Sequence, residues 1–339
     1  MRWSLHKSLV VAAASLLLLT VSVQAGDFSR VGSAGAQFLK IGMGARYIGV
    51  GEAATAIVDD AYSMYWNPAG MAKMEGSEFA FTNVDWVESV NLNFVSFATP
   101  VSFGGTAGFA LTVLSVGDME ETTVWQPDGT GRTFDASSFA IAAGYAHSLT
   151  DRFAAGFKIK YVSERIAEAR SKGYAFDIGT RFDTGYRNLR MGVSVLNLGP
   201  GMRFSGSTLD FEYRRDQDNT NYDAVDASLT TEDYDLPLTF RLGLAYDFIQ
   251  NEFSTWTVSA DAKHPNDNVQ QLSLGTEYTW KQAVSLRAGY KFRSEEEGLT
   301  LGGGVIVNPT SGSALVVDYA WSDFGNLDSA HRFSFGIRF

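Results

Sequence analysis

The 339-residue chain has no cysteine. Disulfides, thiol catalysis, iron–sulfur clusters and cysteine-ligated zinc are excluded together. Basic residues are in deficit, 27 Lys and Arg against 38 Asp and Glu, a formal net charge of −11. A nucleic-acid partner needs a basic face, so that class is excluded too. Only 7 prolines interrupt the chain. No apolar run reaches the ~18 residues of a membrane-spanning helix. The longest, "LVVAAASLLLLTV" (Leu9 to Val21), ends well short. If the mature protein spans a membrane, it does so without helices. Histidine is scarce as well, 4 in all, and no G-x-S-x-G stretch occurs. Nucleophile–base chemistry therefore has few parts to draw on, and an enzyme is not expected.

What is present is aromatic and glycine-rich. Aromatics make up 13% of the chain, with 24 Phe and 14 Tyr, beside 34 Gly. This mixture favours strands joined by tight turns. Residues 1–25 form a secretory signal: Arg2, His6 and Lys7, then the apolar run, then "VQA" before Gly26. Residues 26–75 precede the strand pattern, and 76–339 carry it. In "RFAAGFKIKYV", Phe153, Ala155, Phe157, Ile159 and Tyr161 share one face, and Gly156, Lys158 and Lys160 the other. "PLTFRLGLAYDF" and "AVSLRAGYKF" alternate in the same way, with Gly243 and Gly289 on the polar face. Such a strand is buried on one side only.

Fourteen runs of this kind are expected, at 77–86, 89–100, 104–116, 134–147, 152–165, 171–183, 188–197, 236–249, 253–263, 269–280, 283–293, 298–308, 313–321 and 331–339. Most have the ~9–11 residues, or slightly more, that a tilted strand needs to cross a bilayer. "VSFG", "SLTD", "TGYRN", "IQNE", "WKQ" and "NPTSG" are short connections on one side. Residues 117–133 and 199–235 are long ones on the other, where the first connection, near Asp85 to Glu88, is a short exception. Short turns at one end and longer loops at the other predict an all-β fold, a transmembrane antiparallel β-barrel with a small helical plug. An even strand count puts both ends of the wall on the periplasmic side. Tyr145, Tyr161, Tyr278, Trp280 and Trp321 suit interfacial girdles. These features place the chain in the bacterial outer membrane, against lipid.

With apolar faces toward lipid, the lumen receives Lys158, Lys160, Asp177, Arg181, Asp183, Arg241, Asp247, Asp261, Lys263, Glu277, Arg287, Lys291, Arg293 and Asp318. The near balance of signs predicts ion pairs across the lumen rather than an ion-selective pore. The glycine- and alanine-rich residues 26–75 read as a plug, with a short helix predicted between Glu52 and Tyr62. "GVGEAA" (Gly49 to Ala54) matches a dinucleotide fingerprint but lacks the strand and βαβ unit that would give it meaning. In "YWNPAGMA", Asn67 is a good helix N-cap and Pro68 suits the first helical position. "DQDNTNYD" (Asp216 to Asp223) lacks the sixth-position Gly and the twelfth-position acid of a calcium loop. No metal and no cofactor is expected.

The run "FLKIGMGARYIGVGEAATAIVDDAYSMYWNPAGMAKM" (Phe38 to Met74) resembles the N-terminal signature of the PorV/PorQ family of outer-membrane proteins. Gly44, Ala45, Arg46, Gly49, Gly51, Asp59, Asp60 and Ala61, then Trp66, Asn67, Pro68, Ala69 and Gly70, stand where that signature expects them. The resemblance implies a fourteen-stranded barrel similar to the fatty-acid transporter FadL, with an N-terminal hatch that contains the Asn-Pro-Ala-Gly element. It implies a component that handles proteins at the cell surface, as in type IX secretion, with secreted cargo or a translocon as partner. The alternative is a FadL-like transporter of long-chain fatty acids or another hydrophobic ligand. The closing "RFSFGIRF" resembles the last strand of outer-membrane barrels, in which the terminal aromatic, here Phe339, is read by the barrel-assembly machinery.

Overall fold

The computed structural model describes residues 31–86, 90–213, 225–294, 297–310 and 312–339. The signal segment and the "DQDNTNYD" stretch lie outside the described residues. The strands are β1 (Glu78–Asp85), β2 (Asn91–Pro100), β3 (Thr106–Glu120), β4 (Thr133–Ser148), β5 (Phe153–Ile166), β6 (Ala169–Asp183), β7 (Leu189–Leu198), β8 (Phe204–Ser205), β9 (Asp210–Tyr213), β10 (Val225–Ser228), β11 (Thr239–Gln250), β12 (Ser254–Pro265), β13 (Gln271–Trp280), β14 (Val284–Phe292), β15 (Leu299–Thr310), β16 (Ser313–Asp323) and β17 (Ser329–Arg338).

β1–β7 and β11–β17 pair antiparallel in chain order, and β1 pairs with β17. The result is a closed barrel of fourteen strands. Closure removes the sheet edges that lipid could not satisfy. The last residue joins the seam. Phe339 exchanges backbone hydrogen bonds with Ser77, both 2.9 Å, and its ring stacks on Phe97.

The wall sorts its side chains by period two. On β5, Phe157 and Ile159 are exposed toward lipid, and Lys158 and Lys160 are buried. On β17, Phe333, Phe335 and Ile337 point out, and Arg332 and Ser334 point in. Strands on the loop side run farther than the sequence pattern suggested. β3 extends to Glu120 and β4 begins at Thr133, closed by an Arg132–Glu121 pair at 2.7 Å. The region expected to be one loop, 199–235, contains three short strands. β8 adds to the outer end of β6, opposite Arg170 and Ser171. β9 and β10 form a separate two-stranded ribbon.

Residues 34–74 fill the barrel. The segment starts at the long-loop end, where Gly35 N–H donates to Asp235 O at 3.0 Å. It finishes at the opposite, short-turn end, where Lys73 meets Asp183 at 2.8 Å just before β1. The hatch thus runs the depth of the lumen. Its apolar side chains, among them Met43, Tyr47, Ile48, Tyr62, Trp66 and Met71, pack on Ala80, Val84, Leu92, Phe94, Ala98 and Ala110 of β1–β3. Full burial of each large side chain contributes about 1.5–3 kcal/mol. A second cluster joins Ala36 and Phe38 to Met202 and Leu236, so the 199–235 region caps the outer end.

No helix forms over 52–62. The short helices are Ala45–Gly49 and Ser63–Trp66, followed by a 3-10 helix Pro68–Lys73. Glu52 has φ +64°, which breaks a helix at its first turn. Beyond it the carbonyls of Thr55 and Val58 accept from wall or hatch side chains rather than from a helical ladder.

Candidate functional site: the clamped hatch

The chemistry of the lumen lies between hatch and wall. Glu52 is the centre. Its carboxylate meets Lys291 at 2.7 Å and Arg241 at 3.1 Å, with Lys263 at 3.9 Å. Burial opposes its charge, but Lys291, Lys263 and Arg241 outweigh that penalty and hold the carboxyl well below the usual carboxylate range. Arg46 makes the mirror-image contact. A hatch cation here meets Glu277 of β13 at 3.0 Å and Asp59 of the hatch at 2.8 Å. Arg287 then links Glu277 and Asp318, both at 2.6 Å. Thr55 donates through its backbone N–H to Asp261 at 3.0 Å.

The pairs expected across an open lumen are therefore mainly hatch-to-wall or between neighbouring wall strands. Lys158 and Lys160 share Asp177 on the adjacent strand, at 2.7 and 2.9 Å, and Lys158 also donates to Met64 O. Arg190 reaches Asp247 at 2.5 Å. Arg181 donates to Val58 O of the hatch at 3.0 Å and lies 3.6 Å from Asp183. Arg293 departs from expectation: it sits in the turn after β14, exposed, with φ +59°. Once the strand pairing ends, the alternation that would aim it inward ends too.

The Trp-Asn-Pro-Ala-Gly turn has a geometric purpose. Asn67 caps the 3-10 helix by accepting from Ala69 N–H at 3.1 Å. Its amide donates to Thr55 O at 2.9 Å and to Thr180 O of β6 at 3.0 Å. One buried side chain thus fastens helix, hatch and wall. Trp66 donates from Nε1 to Met43 O at 2.8 Å, and the Arg241 guanidinium lies 4.7 Å from its ring. Pro68 and Ala69 are buried, and the Pro68 backbone lies against Gly156 of β5. An added Cβ at Gly70 would press on Ser63 Oγ and Val58 O, each 2.5 Å away.

The wall answers with its own glycines. The hatch backbone at Gly49 and Gly51 rests on Gly302 and Gly289, and that at Val50, Thr55 and Ala56 on Gly275, Gly192 and Gly243. A Cβ at Gly275 would sit 2.7 Å from Val50 Cβ. At Gly51, φ +67° and the nearby Tyr290 N–H both exclude a side chain. Gly44, at φ +82°, precedes the helix that carries Arg46. Sequence reasoning missed Glu52, Asn197, Arg332 and the role of the wall glycines. Asn197 accepts from Lys160 and donates to Pro237 O at 3.0 Å. Arg332 is fully buried, 3.1 Å from Ser322 Oγ and 5.1 Å from the Trp86 ring. Period two had put Gly156, Gly243 and Gly289 on the inner face; what they accommodate depends on the hatch.

Two spaces remain. A cavity of ≈ 770 Å³ opens beneath the hatch at the short-turn end, bordered by Arg46, Asp59, Glu78, Arg190, Asp247 and Arg338 among others. A pocket of ≈ 30 Å³ lies between Leu39, Tyr65, Phe94 and Lys160. That is about one water molecule's worth of space, against ~300–1,000 Å³ for a small-molecule site.

His331 has a hydroxyl near each ring nitrogen. On the outer face of the wall Ser329 Oγ lies 3.4 Å from its Nε2, and Tyr319 OH 2.8 Å from Nδ1. The surrounding backbone of β16 and β17 is committed to strand pairing.

The family model described as "Type IX secretion system protein PorV" matches residues 24–210, more than half the chain. The chain belongs to the PorV family. This PorV-family barrel also resembles solved outer-membrane structures at low identity. The Ralstonia pickettii toluene transporter TbuX aligns over 88% of this chain and 97% of its own, TM-score 0.56, 11% identity. The Pseudomonas putida toluene transporter TodX aligns over 86% and 96%, TM-score 0.53, 13% identity. A Pseudomonas aeruginosa FadL homologue aligns over 88% and 98%, TM-score 0.51, 13% identity. These likenesses establish the FadL-like barrel fold. No curated protein matches the chain in sequence. Family and fold together place the protein in the bacterial outer membrane, as a type IX secretion barrel.

Proposed function

We propose that this PorV-family barrel serves type IX secretion as a closed, non-catalytic docking component, with its outer loops as the working surface and its filled lumen as their support. The observation that carries this reading is the hatch. It is clamped to the wall at Glu52, Arg46, Thr55 and Asn67, a pocket of about 30 Å³ lies beside it, and the ≈ 770 Å³ cavity beneath it is bordered by charged side chains rather than by an apolar lining. A transporter of hydrophobic molecules needs a site the size of its cargo. The outer loops, in contrast, carry unburied apolar side chains: Val124 and Trp125, at the tip of the β3–β4 hairpin, are 90% and 91% exposed. Such anchors suit a protein partner, either secreted cargo or a translocon. The FadL-like fold keeps a second reading in view, transport of a fatty acid or similar ligand past a movable hatch.

Mild crosslinking in the native outer membrane, then mass spectrometry of co-purifying proteins and extracted lipids, separates the two. The docking reading predicts secreted proteins or a large translocon barrel crosslinked to residues 121–132 and 199–235. A stoichiometric apolar ligand without such partners would replace it with the transport reading.

A further inference from the structure

The lipid-facing side of β5 and β6 is graded along its length. Registered outward pairs run Phe157 with Ile178, Ile159 with Phe176, Tyr161 with Tyr174, Ser163 with Lys172 and Arg165 with Arg170. The order from mid-wall to outer end is apolar, aromatic, cationic. The two tyrosine rings lie 5.4 Å apart and mark the membrane interface. Lys172 stands one outward position above them and Arg170 two, so about 7 and 13 Å farther along the strand. That is headgroup depth.

Two of the three charges are not consumed locally. Arg165 pairs with Asp135 and reaches Ser137. Arg170 and Lys172 are exposed and have no carboxylate within ion-pair distance among the described residues. Of the acids near this end of the hairpin, Glu164 is taken up by Ala36 N–H and Tyr234 OH, and Glu168 sits in the turn beyond Arg170, farther from the membrane. The chain as a whole carries −11, so two free cations beside a third on a lipid-facing ladder run against its composition. At the outer ends of β1 and β17 the outward residues are Asp85, His331 and Ser329 instead.

We infer that Arg165, Arg170 and Lys172 form a binding site for the phosphate of an outer-leaflet lipid, whose acyl chains lie along Ile159, Phe176 and the Tyr161–Tyr174 pair. An arginine presents a planar fork to a phosphate and a lysine a mobile point charge, and together they hold it by charge-assisted hydrogen bonds. A lipid held there would fix the orientation of the adjoining β3–β4 hairpin and the 199–235 region over the membrane.

The test compares the full-length protein with an R170Q/K172Q variant. Both residues point away from the barrel interior, and heat-modifiable gel mobility checks that the variant folds. The probe is lipid A carrying both phosphates, with dephosphorylated lipid A beside it, read by native mass spectrometry from detergent micelles. The expected result is retention of the phosphorylated form, a tenfold or greater loss in the variant, and a similar loss for the dephosphorylated form. Equal retention by the two proteins, or of the two lipids, would overturn the site. Displacement of lipid A by millimolar inorganic phosphate would overturn it as well, since the cations would then hold free anions rather than a lipid.

Discussion

At the scale of residues, the account rests on a few side chains that join hatch to wall. Glu52→Gln leaves Arg241 and Lys263 without the carboxylate they share, while Lys291 keeps only Glu297. Removing one partner of a buried pair costs about 3–5 kcal/mol. The hatch of that variant should become sensitive to added protease while the wall stays folded, which limited proteolysis with mass mapping would read. The same carboxyl sets a pH window. Its value in the folded state lies below the unfolded one, so its contribution is complete above the ordinary glutamate range. It is lost as pH falls through the depressed value. Protease resistance of the hatch should hold at mildly acid pH and fail only well below pH 4; failure near pH 6 would point to another group. Asn67→Ala removes a cap and orphans two carbonyls, a loss of about 1–2 kcal/mol for the cap alone. It should lower the hatch's protection from hydrogen exchange without changing the barrel's heat-modifiable mobility.

At the scale of elements, the wall strands were legible and the hatch was not. Alternation is a local property, so Phe157 and Lys158 announce their faces without knowledge of any partner. Closure follows from the strand count. The hatch obeys no period. Glu52 sits inside a false nucleotide motif, and its left-handed backbone, which cancels the helix expected over 52–62, is set by three cations more than 180 residues away in sequence. The wall glycines show the same limit. Their position on the inner face could be read, but the need for them arises only where Val50 and Thr55 press against Gly275 and Gly243. Gly275→Leu should therefore expel the hatch locally and raise ion conductance in planar bilayers, while an outward change such as Leu274→Ala should leave conductance unaltered.

At the scale of the whole molecule, strands with apolar faces toward lipid close into one barrel whose seam includes Phe339. Removal of Phe339 should slow assembly into the outer membrane and raise the periplasmic pool, as fractionation would report. The central claim is that the filled barrel supports docking without opening. The absence of native cysteine gives a direct test. Lys40 of the hatch and Asp267, between β12 and β13, meet at 2.9 Å, so Lys40→Cys with Asp267→Cys can be bridged by a short bis-methanethiosulfonate reagent, whose disulfide bonds tie hatch to wall until reductant cleaves them. Surface display of secreted proteins, measured in cells carrying only this variant with and without reductant, should be the same in both states. Display that appears only after reduction would mean that the hatch must move, and would contradict the account.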